Sequence, residues 1–222
     1  MLYELLLECI NIPYSTVGIS TNYAVRRDGS HLYIFFQGSV ELSDWHINAD
    51  FPAKACSREG DRTYFAHRGF VDAWSGILPV LSPLILDRGV RSLNVCGYSH
   101  GAALALLCHE YVCFVRPDLR AALQGVGFGC PRVYWGIRRD DLLSRWENFT
   151  VVRNIDDVGT HLPPAVLGYS HVGNMLEVGE EGRYTSLEAH RADNMLAEVR
   201  KYERAQSKII NKTAFNTLFF FR

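Results

Sequence analysis

The sequence has no excess of charge of either sign: 23 Lys and Arg stand against 24 Asp and Glu, a formal net charge of −1. With no overall field to gather polyanions, nucleic acid is not an expected partner. Repeats, low-complexity tracts and a Pro/Gly/Ser-rich linker are also missing, which argues against fibrous, disordered or tethered two-domain chains. Long apolar runs are scarce. A long stretch without a formal charge, 92–109, is interrupted by Asn94, Gly97, Ser99, His100 and Gly101 and does not read as a membrane span. The N-terminus has no basic start and carries Glu4 and Glu8 within its apolar residues, unlike a secretory leader, so residues 1–10 read as an amphipathic helix. A cytoplasmic protein is the expectation, with leaderless export as the alternative.

Cysteine is present six times, but a chain of 222 residues does not depend on disulfide staples. Four of the six fall in apolar strand or helix patterns, where Cys acts as a small buried hydrophobe, so reduced thiols are expected. What remains is an ordinary globular composition, 48% hydrophobic and 12% aromatic, sufficient for one core and one domain over 1–222.

The pattern along the chain points to an α/β class. Residues 23–27 and 31–36 are β-prone runs joined through Asp28-Gly29, the signature of a tight hairpin. Short apolar runs at 93–96, 123–128 and 149–152 fit strands buried on both faces. Helical stretches at 69–86, 101–115 and 136–146 alternate with them, a candidate strand covers 172–178, and 187–201 reads as a late helix. Such alternation implies a mostly parallel sheet with helices on both sides, and reactive groups past the carboxyl ends of the strands.

Directly after 93–96 comes Gly97-Tyr98-Ser99-His100-Gly101, followed by the helical run Ala-Ala-Leu-Ala-Leu-Leu-Cys. This is G-x-S-x-G between strand and helix. The turn is so tight that side chains at the glycines would clash, while the serine Oγ stays exposed as a nucleophile. The backbone N–H of His100, next after the serine, is then one oxyanion donor. A serine nucleophile needs a base, and the base needs an anion, in the chain order Ser, acid, His. Asp156 and Asp157 both stand just past 149–152, and three histidines follow them: His161, His171 and His190. His161 is only four residues beyond Asp157, too close to face the nucleophile comfortably.

From these residues the chain resembles the class 3, fungal-type triacylglycerol lipases of the α/β-hydrolase superfamily, over roughly residues 30–195. The resemblance is carried, in order, by Phe36-Gln37-Gly38-Ser39, Trp45, His67-Arg68-Gly69-Phe70, the serine motif, Phe128-Gly129-Cys130-Pro131-Arg132-Val133, Asp157-Val158, Leu162-Pro163-Pro164 and Gly168-Tyr169-Ser170-His171. Gln37 stands where the family usually has Arg, and Thr160 where Pro is common. The resemblance implies an α/β-hydrolase fold, Ser99 as nucleophile, Asp157 as acid, His190 as base, and Ser39 as second oxyanion donor. It gives His171 a supporting role and leaves Asp156 as a solvated loop carboxylate. It also places a lid-like segment at about 40–66, where Leu42, Trp45 and Ala49 would form one apolar stripe if 41–49 is helical.

Two other patterns do not hold. His109-Glu110-Tyr-Val-Cys113 lacks the second histidine of a zinc helix, and Gly125-Val-Gly-Phe-Gly lacks phosphate-loop spacing and runs into Pro131. No metal or cofactor is implied. The reading is a serine carboxylic-ester hydrolase acting on acylglycerol, phospholipid or related acyl esters, with transient contact with a lipid interface. An acyltransferase on the same scaffold and a non-catalytic lipid-binding module are the alternatives.

Overall fold

The computed structural model describes residues 1–18, 21–38, 51–59, 62–137 and 145–219. In chain order its principal elements are α1 (Leu2–Asn11), β1 (Ser15–Val17), β2 (Thr21–Asp28), β3 (His31–Phe36), β4 (Ala53–Glu59), β5 (Arg62–His67), α2 (Arg68–Leu86) and β6 (Ser92–Tyr98). Then follow α3 (His100–Val115), β7 (Leu123–Phe128), β8 (Tyr134–Trp135), β9 (Phe149–Asn154), β10 (Tyr169–Ser170), β11 (Asn174–Val178), α4 (Ser186–Ala189) and α5 (Ala192–Phe219).

Seven strands form the main sheet in the order β1-β2-β3-β6-β7-β9-β11. Its first three strands are antiparallel, and β3, β6, β7, β9 and β11 run parallel. The expected Asp28-Gly29 hairpin is present: Asp28 faces His31 across the ladder, and Gly29 has φ +55°, which a β-carbon would strain. Because side chains alternate along a strand, β3 sends Leu32, Ile34 and Phe36 to one face and Phe35 to the other. The first face packs against α2 and α3. The second, with Cys96, Phe128 and Val152, packs against Leu6 and Cys9 of α1 and Met195 and Val199 of α5.

α2 is long and apolar enough to cross a membrane by composition, but Phe70, Val71, Trp74, Ile77, Leu81 and Ile85 pack it into the core. α3 is buried nearly all round, the mark of a core helix, and even carries Glu110 inside. That carboxylate is offset by Arg145 at 2.8 Å, by Ser57 Oγ at 2.6 Å and by the Tyr134 hydroxyl. A buried charge held by three partners ties α3 to a second, antiparallel sheet of order β10-β8-β5-β4.

The second sheet is not legible as strands in the sequence. Of the segment 40–66, residues 40–50, with the expected helix at 41–49, lie outside the described residues, while Ala53–Glu59 pairs with Arg62–His67 as a hairpin. Most of the expected helix at 136–146 also lies outside the described residues; Gly136 itself follows β8 with φ +65°. The expected late helix is two helices. α4 starts on a capping box, Thr185 with Glu188, and the chain breaks at His190 and Arg191 before α5 continues to Phe219. All six cysteines are free thiols.

His109 of α3 is fully buried against Phe149, its Nε2 without a partner among the described residues, and burial pulls its pKa down to about 3. Burial also holds His100 and His171 at about 4. In the unfolded chain these imidazoles take up protons near pH ~6.5, well before the folded ones do. Stability is therefore unaffected above that pH and falls as pH drops toward the folded values. We expect Tm to be level from about pH 8 to 7 and to decline toward about pH 4.5, and His109→Leu to decline less steeply. Equal slopes for the two proteins in thermal unfolding would contradict this account.

Candidate active site

β6 ends at Tyr98 and α3 begins at His100, so Ser99 alone makes the turn. Its backbone has φ 56° and ψ −122°, a positive φ found at no other non-glycine among the described residues. Such a conformation costs about 1–3 kcal/mol and survives only where the surroundings impose it. Here they do. A β-carbon on Gly97 would lie 2.1 Å from Gly101 O, and one on Gly101 would lie 2.2 Å from Phe36 O. Ser99 N donates to Phe128 O at 2.8 Å, and Ser99 O accepts from Ala102 N at 2.9 Å. Strand, turn and helix are thus locked together with the hydroxyl facing the cleft.

Ser99 Oγ is 2.7 Å from His190 Nε2. On the other side of the ring, Nδ1 lies 2.7 Å from Asp157 Oδ2 and 2.8 Å from Oδ1. All three side chains are buried, Asp157 completely. A carboxylate opposite Nδ1 keeps the proton there and leaves the Nε2 lone pair directed at the serine hydroxyl. Asp157 is itself held: Gly159 N donates to Oδ1 at 2.8 Å, and its own N–H donates to Asn154 O at 3.0 Å. The three residues come from the end of β6, the loop after β9 and the break between α4 and α5, as the parallel sheet requires.

The structure sorts the other candidates. His161 is exposed and faces Arg132, with Nδ1 3.4 Å from its guanidinium. His171 donates from Nε2 to Thr160 O at 2.8 Å, so it braces the loop that carries Asp157. Asp156 is not a freely solvated carboxylate. It accepts from Gly182 N at 2.9 Å and Tyr184 N at 3.1 Å, which hold it below the usual carboxylate range and pin the segment leading to His190. Arg132 was legible only as part of a motif; its guanidinium donates to the carbonyls of His161 and Pro163 and so fixes the far side of the acid loop.

His100 is the first residue of α3, so its N–H has no intrahelical acceptor and sits at the positive end of the helix dipole, beside Ser99. Ser39 lies outside the described residues; Gly38 before it packs against Tyr98 and Ser99. Ser99, His100 and His190 share one cleft with Pro131 and Leu162. Among the described residues no group of three or more His, Cys, Asp or Glu is arranged to hold a metal.

Comparison with known proteins finds relatives of this chain. The family model described as lipase (class 3) matches residues 33–167, which includes Ser99 and Asp157 and stops short of His190. A curated lipase of Rhizomucor miehei is 29% identical over 175 residues, 72% of this chain and 46% of that protein. The chain therefore spans about half the length of the curated relative it matches. The solved structure of a triacylglycerol lipase whose catalytic centre is a serine protease triad is 26% identical with a TM-score of 0.66, covering 76% of this chain and 66% of that one. A fungal lipase–inhibitor complex that provides a model for interfacial activation is 25% identical with a TM-score of 0.64, over the same shares of the two chains. The fold is that of an α/β-hydrolase.

The bracing contact of His171 yields a prediction. His171→Ala removes a hydrogen bond to the acid loop without touching Ser99 or Asp157. Turnover should fall severalfold, and stability by about 1–2 kcal/mol, the usual cost of leaving a buried acceptor unpaired. A loss of activity as deep as that of His190→Ala would make His171 the base and contradict the arrangement above.

Proposed function

The chain belongs to the class 3 lipase family, and on that premise we propose that it is a serine carboxylic-ester hydrolase that cleaves acylglycerol, phospholipid or related acyl esters through an acyl-enzyme. The observation that carries this reading is the continuous buried relay of Ser99 Oγ, His190 and Asp157, with contacts of 2.7 Å on both sides of the imidazole.

In the proposed reaction Ser99 Oγ attacks the ester carbonyl while His190 Nε2 takes its proton. The resulting imidazolium is stabilised by the Asp157 carboxylate, which stays ionised throughout. The tetrahedral oxyanion is received by the His100 N–H, and Ser39 supplies the second donor. His190 returns its proton to the departing alcohol, leaving the acyl group on Ser99. Water, deprotonated by the same imidazole, then releases the acid and restores the serine.

Three substitutions test the roles. Ser99→Ala should abolish labelling by a fluorophosphonate. His190→Ala should lower kcat/KM by several orders of magnitude while the protein stays folded, and Asp157→Asn should cost about 10⁴-fold by leaving the imidazole in the wrong tautomer. Near-normal turnover in a folded His190→Ala enzyme would refute the reading.

We propose further that the site works at a lipid surface, because esters of long acyl chains are held in droplets or micelles rather than in solution. The rate on a triacylglycerol should rise more than proportionally as its concentration passes the solubility limit. A smooth saturation curve through that limit would contradict an interfacial mode of action.

A further inference from the structure

Tyr98, the residue before the nucleophile, does more than fill the turn. Its hydroxyl donates to the main-chain carbonyl of His190, and its ring lies 5.8 Å from the imidazole, centroid to centroid, at 44°. That carbonyl sits in the break between α4 and α5. The first i→i−4 bond of α5 runs from Met195 N to Arg191 O, so the helix ladder does not include it. The break leaves His190 without the backbone restraint that a helix interior provides. The same tyrosine also faces the oxyanion loop: a β-carbon on Gly38 would lie 3.2 Å from Tyr98 Cδ1 and 2.9 Å from Tyr98 O. One side chain, rooted at the end of β6, thus touches the segments on both sides of Ser99.

We propose that Tyr98 is a positioning residue that holds the His190 main chain so that Nε2 stays within hydrogen-bond reach of Ser99 Oγ. The proposal rests on the Ser99–His190–Asp157 reading above. Its effect is on geometry at the reacting atoms. A displacement of about 1 Å there is enough to cost roughly 10²-fold in rate, and a partial loosening costs less. Substrate binding involves the cleft walls, which Tyr98 does not line, so the effect belongs in kcat rather than KM.

The test compares wild type, Y98F and Y98H on a water-soluble short-chain ester, with each rate normalised to active sites counted by fluorophosphonate labelling at completion. Y98F keeps the ring and loses the donor. It should lower kcat and the labelling rate together by about tenfold, with KM within about twofold and Tm within a few degrees of wild type. Y98H, which retains a ring N–H donor, should recover part of that loss. If Y98F does not accumulate as folded protein, Y98L supplies the comparison without a donor. Wild-type kcat in the donor-less variant, equal losses with and without a donor, or a loss expressed in KM alone would each overturn the proposal. If Ser99→Ala and His190→Ala also retain activity, it is the underlying triad reading that has failed; if they collapse while the donor-less variant does not, only the role of Tyr98 falls.

Discussion

The tight turn at Ser99 is the constraint on which the rest of the site depends. A side chain other than hydrogen at Gly97 or Gly101 would place a β-carbon 2.1 or 2.2 Å from a carbonyl oxygen on the facing helix or strand, far inside van der Waals contact, so β6 and α3 approach as closely as they do only with glycine there. That approach forces Ser99 to a positive φ, and the surrounding packing offsets the strain held in the serine backbone. Leu93, Val95 and Cys96 hold the strand and the buried length of α3 holds the helix, so the hydroxyl is aimed before any substrate arrives. Pre-aimed groups need not be reorganised during reaction, which is the main source of rate in such sites.

The other two members reach Ser99 through loops, and loops are mobile unless they are tied. The ties are specific. Asp157 is held by Gly159 N and by its own turn, His171 and Arg132 fix the carbonyls that follow it, and Asp156 holds the chain on its way to His190. Apart from that turn, each contact joins a side chain to a main-chain atom, and each acts on the position of a catalytic candidate rather than on substrate. A rigid elbow with two loops braced against it places three side chains from distant parts of the sequence into one hydrogen-bonded line.

Much of this is legible in the sequence. The Gly-x-Ser-x-Gly turn announces itself because only glycine satisfies its geometry, and Asp28-Gly29 does so for the same reason in the hairpin. The parallel strands were visible as apolar runs, since burial on both faces removes the polar alternation. The second sheet was not. Its strands 53–59 and 62–67 carry Lys54, Ser57, Arg58, Arg62 and Thr63, and their pairing is stabilised by tertiary contacts such as Ser57 and Tyr134 on Glu110. The break at His190 was not visible either: the Thr185–Glu188 capping box marks only where the short helix starts, and the apolar periodicity of 187–201 runs straight through the break. The bracing roles of Asp156, Arg132 and Tyr98 leave no sequence signal, because their partners are main-chain atoms that any residue supplies.

The central claim is that Ser99 is the nucleophile of a covalent, two-step ester hydrolysis driven by the His190–Asp157 pair. The most direct measurement is intact and peptide-level mass spectrometry of the enzyme quenched in acid during turnover of a short-chain activated ester. The account predicts a mass increase of one acyl group that maps to the peptide containing Ser99, appears within the first turnover and is absent when His190 is replaced by Ala. Turnover with no covalent acyl species, or an acyl group mapped to another residue, would contradict it.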